Sequence, residues 1–170
     1  LFKGVKGDFW EHLKHEKGEV FKHNPNDKKS LISERITAIC EDINGGIWFG
    51  THSALVKVID KKGKIEFQSF GEKEGLANNL VYTVAHDKKH LWLSTNRGLS
   101  RFHIKNETFA NFNIKDGLQS NEFNSNSFFQ AKDGELFFWR YQRLHEFLSR
   151  RNQDGNKAAK GTFDNFRNSK

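Results

Sequence analysis

The 170-residue chain contains a single cysteine and no run of 18 apolar residues. One thiol excludes an internal disulfide framework and any zinc site built from cysteines. The absence of a long apolar run excludes a transmembrane helix from this sequence. No positively charged start leads into an apolar stretch, so we expect no signal peptide. The length is typical of one domain, and an aromatic content of 14% argues against a disordered chain.

The net charge of +7 is unevenly distributed along the chain. Residues 1–30 carry +2, residues 31–148 carry +1 and residues 149–170 carry +4. A surface that grips nucleic-acid phosphates needs basic residues on a folded face, interleaved with aromatic ones. Because the excess lies at the two ends, we expect this segment to bind no nucleic acid.

A sequence repeat organises the middle of the chain. Ile47–Thr51 (IWFGT) recurs as Leu91–Thr95 (LWLST), and a third copy begins at Leu136 with LFF. The offset is 44 positions from residue 47 to residue 91 and 45 positions from residue 91 to residue 136. A polar turn precedes each copy, and further short apolar runs surround it. The chain is therefore built from units of nearly constant length.

The apolar runs have the features of β-strands. They are short, rich in β-branched and aromatic residues, and bounded by Gly, Asn and Asp. Four such runs in each unit of 44–45 residues are typical of a propeller blade. We therefore expect an all-β fold with little helix, a partial β-propeller of about three four-stranded antiparallel blades in an open arc.

The repeat also predicts where the units begin and end. Blades are expected at residues 31–79, 80–121 and 122–148. Residues 1–30 would hold the end of a preceding blade, with Glu19–His23 as its last strand, and an inter-blade loop. Residues 149–170 would be a disordered basic tail. Because propellers close with about 4–8 blades, an arc this short must belong to a longer protein or assemble.

The aromatic residues of the repeat are expected to pack between blades. This expectation applies to Trp48, Phe49, Trp92 and Phe102. Aromatic residues in loops are better candidates for stacking on sugars, and Trp10 and Tyr82 are the two that the sequence offers.

Signs of enzymatic chemistry are scarce. The chain has no nucleophile elbow, Walker loop or His-Glu-x-x-His motif, so we expect no catalytic residues and no cofactor. Cys40 lies in an apolar strand run, where a small buried side chain is expected rather than a nucleophile. Glu41 and Asp42 should point to opposite faces of a strand and so should not act as a pair. Glu72 and Glu74 could pair in principle.

Histidines are the remaining candidates for a metal site. His12 and His15 are three positions apart and could share one face of a helix, and His23 follows eight positions later. No third ligand stands at a spacing known for metal sites, so we expect no metal.

Two kinds of polar turn are candidates for binding sites. Asp42–Gly46 (DINGG) faintly resembles a calcium loop, but the twelfth position would be Ser53 rather than Glu. A Gly-Gly hairpin turn explains this stretch better. Lys28–Lys29 and Lys61–Lys64 lie at predicted turns, where solvated hairpin tips are expected rather than a phosphate-binding site.

Several stretches resemble the propeller repeat of bacterial hybrid two-component sensors. The pattern of residues 36–51 (I-x-x-I-x-E-D-x-x-G-x-I-W-F-G-T) does so, as does that of residues 75–81 (G-L-x-N-N-x-V). Asp116–Asn124 (DGLQSNEFN) is more specific and resembles the last blades of the sensory region, just ahead of a small β-sandwich that abuts the membrane. His23–Leu31 is similar to the inter-blade loop of the family, and the resemblance covers roughly residues 19–147.

The resemblance implies a function in signalling. In that family the propellers lie outside the cytoplasmic membrane, in the periplasm, and sense glycan breakdown products. A membrane-spanning helix, a histidine kinase, a receiver and a DNA-binding domain follow in the parent protein. The implied partners are an oligosaccharide or other small ligand, the missing blades and β-sandwich, and a second copy of the parent, with no membrane insertion by this segment. The repeat motif is structural, so it identifies no ligand-binding residue.

Two stretches depart from the family pattern. After Phe138 the pattern usually continues Gly-Gly-Ile-Asn-Gly-Leu, but Trp139–Leu144 reads WRYQRL. After Phe147 it usually continues Tyr-Pro-Glu-Glu-Ile-Lys, but the chain reads LSRRNQ. One extra T in the coding DNA converts each usual stretch into the observed one. We therefore hypothesise that residues 139–143 and 148–170 are read out of frame, with a genuine divergent tail as the alternative.

Non-catalytic recognition of a ligand is the leading functional hypothesis. The first alternative is a stand-alone propeller module that oligomerises and serves interactions. The second alternative is a fragment of a propeller carbohydrate-active enzyme, which would need paired catalytic groups at the mouth of a pocket.

Overall fold

The computed structural model describes residues 20–118, 120–123, 128–130, 136–140 and 143–147. The strands in this part of the chain are β1 (Ile36–Glu41), β2 (Ile47–Thr51), β3 (Leu55–Lys61), β4 (Lys64–Phe70), β5 (Val81–His86), β6 (His90–Thr95), β7 (Gly98–His103), β8 (Thr108–Phe112), β9 (Phe128–Gln130), β10 (Leu136–Arg140) and β11 (Arg143–Phe147). Short 3-10 helices at Glu72–Glu74 and Ile114–Asp116 follow β4 and β8. No helix among these residues could span a bilayer.

The strands form antiparallel sheets in sequence order. Sheet 1 contains β1–β4 and sheet 2 contains β5–β8, each with four strands. Sheet 3 contains β9–β11, with β10 in the middle. The predicted all-β fold and the four-stranded antiparallel units of sheets 1 and 2 are confirmed, and the described residues contain almost no helix.

Residues 20–23 do not form the strand that we expected at Glu19–His23. A strand is maintained by hydrogen bonds to a neighbouring strand, and no described strand pairs with these residues. Phe21 nevertheless packs edge-on against Phe67 of β4, with 5.3 Å between ring centroids. The apolar pattern was therefore a correct guide to packing but not to backbone pairing.

The two stretches that depart from the family pattern lie partly in sheet 3. β10 runs through Arg140, which pairs with Arg143 at the start of β11. Residues 141–142 and 148–170 lie outside the described residues, as do residues 1–19. The reading-frame hypothesis and the disorder of the tail therefore stay predictions.

An aspartate closes the first hairpin of both four-stranded sheets. Oδ1 of Asp42 accepts two backbone N–H groups of the β1–β2 turn, and Oδ2 accepts the indole N–H of Trp48 at 2.7 Å. Oδ1 of Asp87 accepts two backbone N–H groups of the β5–β6 turn, and Oδ2 accepts the indole N–H of Trp92 at 3.0 Å. Asp42 therefore acts as a turn residue in the hairpin that the sequence predicts.

Sheets 1 and 2 pack face to face through an apolar core. Trp48 of sheet 1 is fully buried, and its ring centroid lies 5.4 Å from that of Phe102 in sheet 2. Phe70 joins them, 4.9 Å from Phe102. Trp92 points to the opposite face of sheet 2 and packs with Phe112 in a second core that includes sheet 3. The predicted packing roles of these tryptophans and of Phe102 are confirmed.

The outer face of sheet 1, which points away from sheet 2, is covered by residues 20–34. Leu31 is buried there against Val56 and Phe67, and Phe49 is partly buried beside them. The backbone N–H of Phe67 donates to the carbonyl oxygen of Lys29 at 2.9 Å. This bond attaches the segment to the edge of β4.

Candidate ligand-binding groove

A groove of about 550 Å³ lies between residues 23–32 and the β3–β4 hairpin. One wall is the loop of residues 23–30 with Ile32, and the other wall is formed by Ile59, Lys61 and residues 66–69. Small-molecule sites typically measure about 300–1,000 Å³. The groove is therefore large enough for a ligand of several rings.

Hydrogen bonds within the loop give its wall a defined shape. The backbone N–H of Asn26 donates to Oδ1 of Asn24 at 3.0 Å, and that of Lys29 donates to Oδ1 of Asp27 at 2.9 Å. The Ser30 hydroxyl lies within hydrogen-bonding distance of the carbonyl oxygens of both Asn24 and Asp27. Short polar side chains favour such turns because they bond to nearby backbone groups.

Glu66 of β4 gathers lysine side chains at the groove. It is 7% exposed, and its carboxylate oxygens lie 2.8 Å from Nζ of Lys61, 3.2 Å from Nζ of Lys29 and 3.8 Å from Nζ of Lys64. The hydrogen bond from Lys61 is the largest influence on the pKa of Glu66; with the bond and charge of Lys29 it lowers that pKa below 4.5, against the opposing effect of desolvation. The carboxylate is therefore ionised at neutral pH.

Two of the lysines around Glu66 lie at a hairpin tip, and the third comes from a distant part of the sequence. Lys61 pairs with Lys64 across the tip of the β3–β4 hairpin, as the turn pattern predicts. All three lysine side chains remain 56–79% exposed, so their ammonium groups stay in contact with solvent. Lys28 is exposed and has no carboxylate within ion-pair distance among the described residues. The sharing of Glu66 by three lysines has no signal in the sequence, because Lys29 is 37 positions away from it.

His23 lies in the loop wall of the groove, where one of its ring nitrogens forms a hydrogen bond. Its Nδ1 lies 2.9 Å from the carbonyl oxygen of Leu31, which can only accept a hydrogen bond. Nδ1 therefore donates, and Nε2 is left to face other partners. His12 and His15 lie outside the described residues, within which no group of three or more His, Cys, Asp or Glu is placed to hold a metal ion.

The other candidates from the sequence do not converge on the groove. Burial, followed by the charges of Asp42 and Glu41, raises the pKa of the Cys40 thiol to about 11, so it is not a thiolate nucleophile at neutral pH. Tyr82 is partly buried against the core between sheets 2 and 3, and its hydroxyl donates to Asn96. Trp10 lies outside the described residues.

Glu72 and Glu74 shape the connection between sheets 1 and 2. Oε1 of Glu72 accepts the backbone N–H of Asn79 at 3.1 Å. Oε2 of Glu74 accepts the backbone N–H of Gly71 at 2.7 Å, which caps the 3-10 helix. Both carboxylates therefore bond to backbone groups of the loop.

Residues 30–53 match the model of the two component regulator propeller family. This stretch of the chain is therefore similar to a two-component regulator propeller repeat. The match spans the end of the groove loop, β1 and β2, which includes Asp42 and Trp48. The aspartate–tryptophan bond thus lies inside the matched repeat and recurs in sheet 2.

Solved structures with a similar fold come from B. thetaiotaomicron. The extracellular domain of BT3049, assigned to a hybrid two-component system, has a TM-score of 0.58 and 26% identity, covering 64% of this chain and 15% of that one. The extracellular domain of BT4673 has a TM-score of 0.55 at 18% identity, covering 84% of this chain and 21% of that one, and supports the fold alone.

A curated relative is histidine kinase P4 of Formosa agariphila. It is 34% identical over 68 residues, which are 39% of this chain and 5% of the kinase. The chain therefore spans a small part of both the kinase and the solved extracellular domains.

Proposed function

We propose that this chain is part of the extracytoplasmic, ligand-sensing propeller of a hybrid two-component signalling protein. The observation that carries the proposal is the fold match to the extracellular domain of BT3049, which covers 64% of this chain with a TM-score of 0.58. The propeller repeat at residues 30–53 and the identity with a histidine kinase support it independently. The periplasm is the compartment that this function requires.

Sheets 1, 2 and 3 would be consecutive blades of an open arc. Phe49 and Val58 on the outer face of sheet 1 occupy the positions that Leu93 and Phe102 occupy in sheet 2, 44 residues later. Leu93 and Phe102 are fully buried by sheet 1, whereas Phe49 and Val58 are only partly buried. A preceding blade of the parent protein would complete their burial.

The ligand would be an oligosaccharide bound in the groove, without chemical change. Glycoside hydrolysis needs a carboxyl group with a raised pKa as the proton donor. The pKa of Glu66 is lowered instead, and Oδ1 of Asp27 is bound to the backbone of Lys29. Glu66 is therefore suited to hold charge at the groove rather than to donate a proton.

Signalling would follow from the packing of this segment in the parent protein. A ligand can change an equilibrium between two arrangements only when it binds one of them better. The groove lies where the loop of residues 23–32 meets sheet 1, so a bound ligand would contact both. In a homodimeric parent, the β-sandwich and the kinase would respond to the resulting change in blade packing.

The test is a binding measurement on the full chain with a panel of defined neutral and anionic oligosaccharides. Saturable binding without a change in the length of the sugar, checked by mass spectrometry, would support non-catalytic sensing. Cleavage of the bound sugar would instead favour the enzyme alternative. No binding to any member of the panel would contradict the proposed function.

A stand-alone module that assembles is the second candidate. The observation that favours it is the incomplete burial of Phe49 and Val58, which a second copy of the chain could also cover. Light scattering after size exclusion separates the two: a discrete dimer or trimer supports the module, and a monomer supports a segment that needs its parent.

A further inference from the structure

We propose that the groove binds an anionic oligosaccharide, whose carboxylate or sulfate groups are held by Lys28, Lys29 and Lys61. This inference rests on the proposed function and adds to it the chemical class of the ligand. It depends on the balance and accessibility of charge at the groove.

Positive charge exceeds negative charge at the groove surface. Lys28, Lys29 and Lys61 line it, against Asp27 and Glu66, and Lys64 lies within 3.8 Å of the Glu66 carboxylate. Glu66 is nearly buried, whereas the lysine side chains are more than half exposed. A ligand in the groove would therefore meet ammonium groups rather than the carboxylate that positions them.

Glu66 positions the ammonium groups of Lys29 and Lys61 without using all of their hydrogen-bond donors. Lys29 and Lys61 approach different oxygens of the same carboxylate, at 3.2 and 2.8 Å. An ammonium group has three N–H donors, so each lysine keeps donors for a second anion. A buried carboxylate that is shared in this way holds one flexible side chain from each wall of the groove, which lowers the entropy cost of binding an anion there.

The remainder of the groove suits the ring of a sugar. Pro25, Ile32, Ile59 and Phe67 contribute apolar surface, and Ile32 is 37% exposed. Apolar surface beside a few directed polar groups is the usual composition of a small-molecule site. The C–H face of an anionic sugar would rest on this surface while its acidic groups face the lysines.

Isothermal titration calorimetry of the full chain with three probes tests whether the groove binds anionic sugars. Trigalacturonate carries carboxylates, a heparin tetrasaccharide carries sulfates, and maltotriose is neutral. We expect an anionic probe to bind at about 50 mM salt and to bind several-fold more weakly at about 300 mM, because salt screens exposed charges. The two anionic probes distinguish a carboxylate ligand from a sulfate ligand.

Two variants test the role of the lysines. Lys28→Gln removes a groove cation that has no ion-pair partner among the described residues, and we expect about three- to fivefold weaker binding of the anionic probe. Lys88→Gln is the matched control, because Lys88 is also exposed and lies in the β5–β6 turn.

The outcomes separate this inference from the proposed function. Binding of maltotriose alone, or equal losses in K28Q and K88Q, would overturn the anionic groove and leave sugar sensing in place. Absence of binding to all three probes would overturn the anionic groove, and failure of the wider sugar panel would overturn the sensing function as well.

Discussion

Nε1 of Trp48 lies 2.7 Å from Oδ2 of Asp42, across the first hairpin of sheet 1. Trp48 is fully buried, and the other carboxylate oxygen of Asp42 accepts two backbone N–H groups of the turn. One side chain thus links the turn to the core. The same link between Asp87 and Trp92 holds the equivalent hairpin of sheet 2.

We expect Asp42→Asn to destabilise the chain by about 1–3 kcal/mol. An amide places an N–H group opposite either the indole or the turn N–H groups in both of its orientations, so one buried donor loses its acceptor. Urea denaturation measures the effect. Asp60→Asn is the matched control, because Asp60 is exposed and an amide oxygen can still accept the N–H of Gly63. Equal midpoints for the two variants would contradict the role assigned to Asp42.

Gly98 and Gly63 both have positive φ, but they differ in the space around them. At Gly98, φ is +105° and an added Cβ would lie 2.0 Å from the carbonyl oxygen of Phe112, whereas at Gly63 φ is +90° and nothing lies within 4 Å. We expect Gly63→Ala to cost about 1–2 kcal/mol from the left-handed backbone alone. Gly98→Ala should cost clearly more, because β7 must also move away from β8. A comparison of urea midpoints tests this, and similar losses would argue against the close approach of the two strands.

The pH dependence of the free energy of unfolding should reveal the ionisation of Glu66. Because the folded chain lowers the pKa of this carboxyl group, its contribution is present above the unfolded pKa near 4.5 and is lost as pH falls. The stability difference between the native chain and Glu66→Gln should therefore be largest near pH 7 and shrink as pH falls through the lowered pKa. Thermal melts across this range provide the measurement. Glu122→Gln is the exposed control, and a difference that does not shrink between pH 7 and pH 3 would contradict the ion-pair cluster.

Cys40 should react slowly with thiol reagents in the folded chain. Its pKa of about 11 leaves roughly one thiolate in a thousand at pH 8, while burial also limits access. The absorbance change during reaction with a disulfide reagent monitors Cys40 alone, because the chain has one cysteine. The rate should rise strongly in denaturant, and a native rate equal to the denatured rate would refute the assigned environment.

The repeating parts of the fold follow from local sequence. Strands separated by Asp, Asn and Gly turns could be predicted because side-chain alternation and turn preferences act over a few residues. The burial of Trp48 and Trp92 followed from their equivalent places in the repeat. The propeller family could be recognised for the same reason, since its motif consists of these turns and strands.

Tertiary structure alone decided the groove and its charges. Lys29 and Glu66 are 37 positions apart, and only the packing of the loop against β4 brings them together. The extended apolar pattern at residues 20–23 did not become a strand, because a strand also needs a neighbour with which to pair. Period and turn chemistry are local properties that a sequence displays directly. Which charged side chains come into contact, and which strand edges pair with another strand, depends on the tertiary structure.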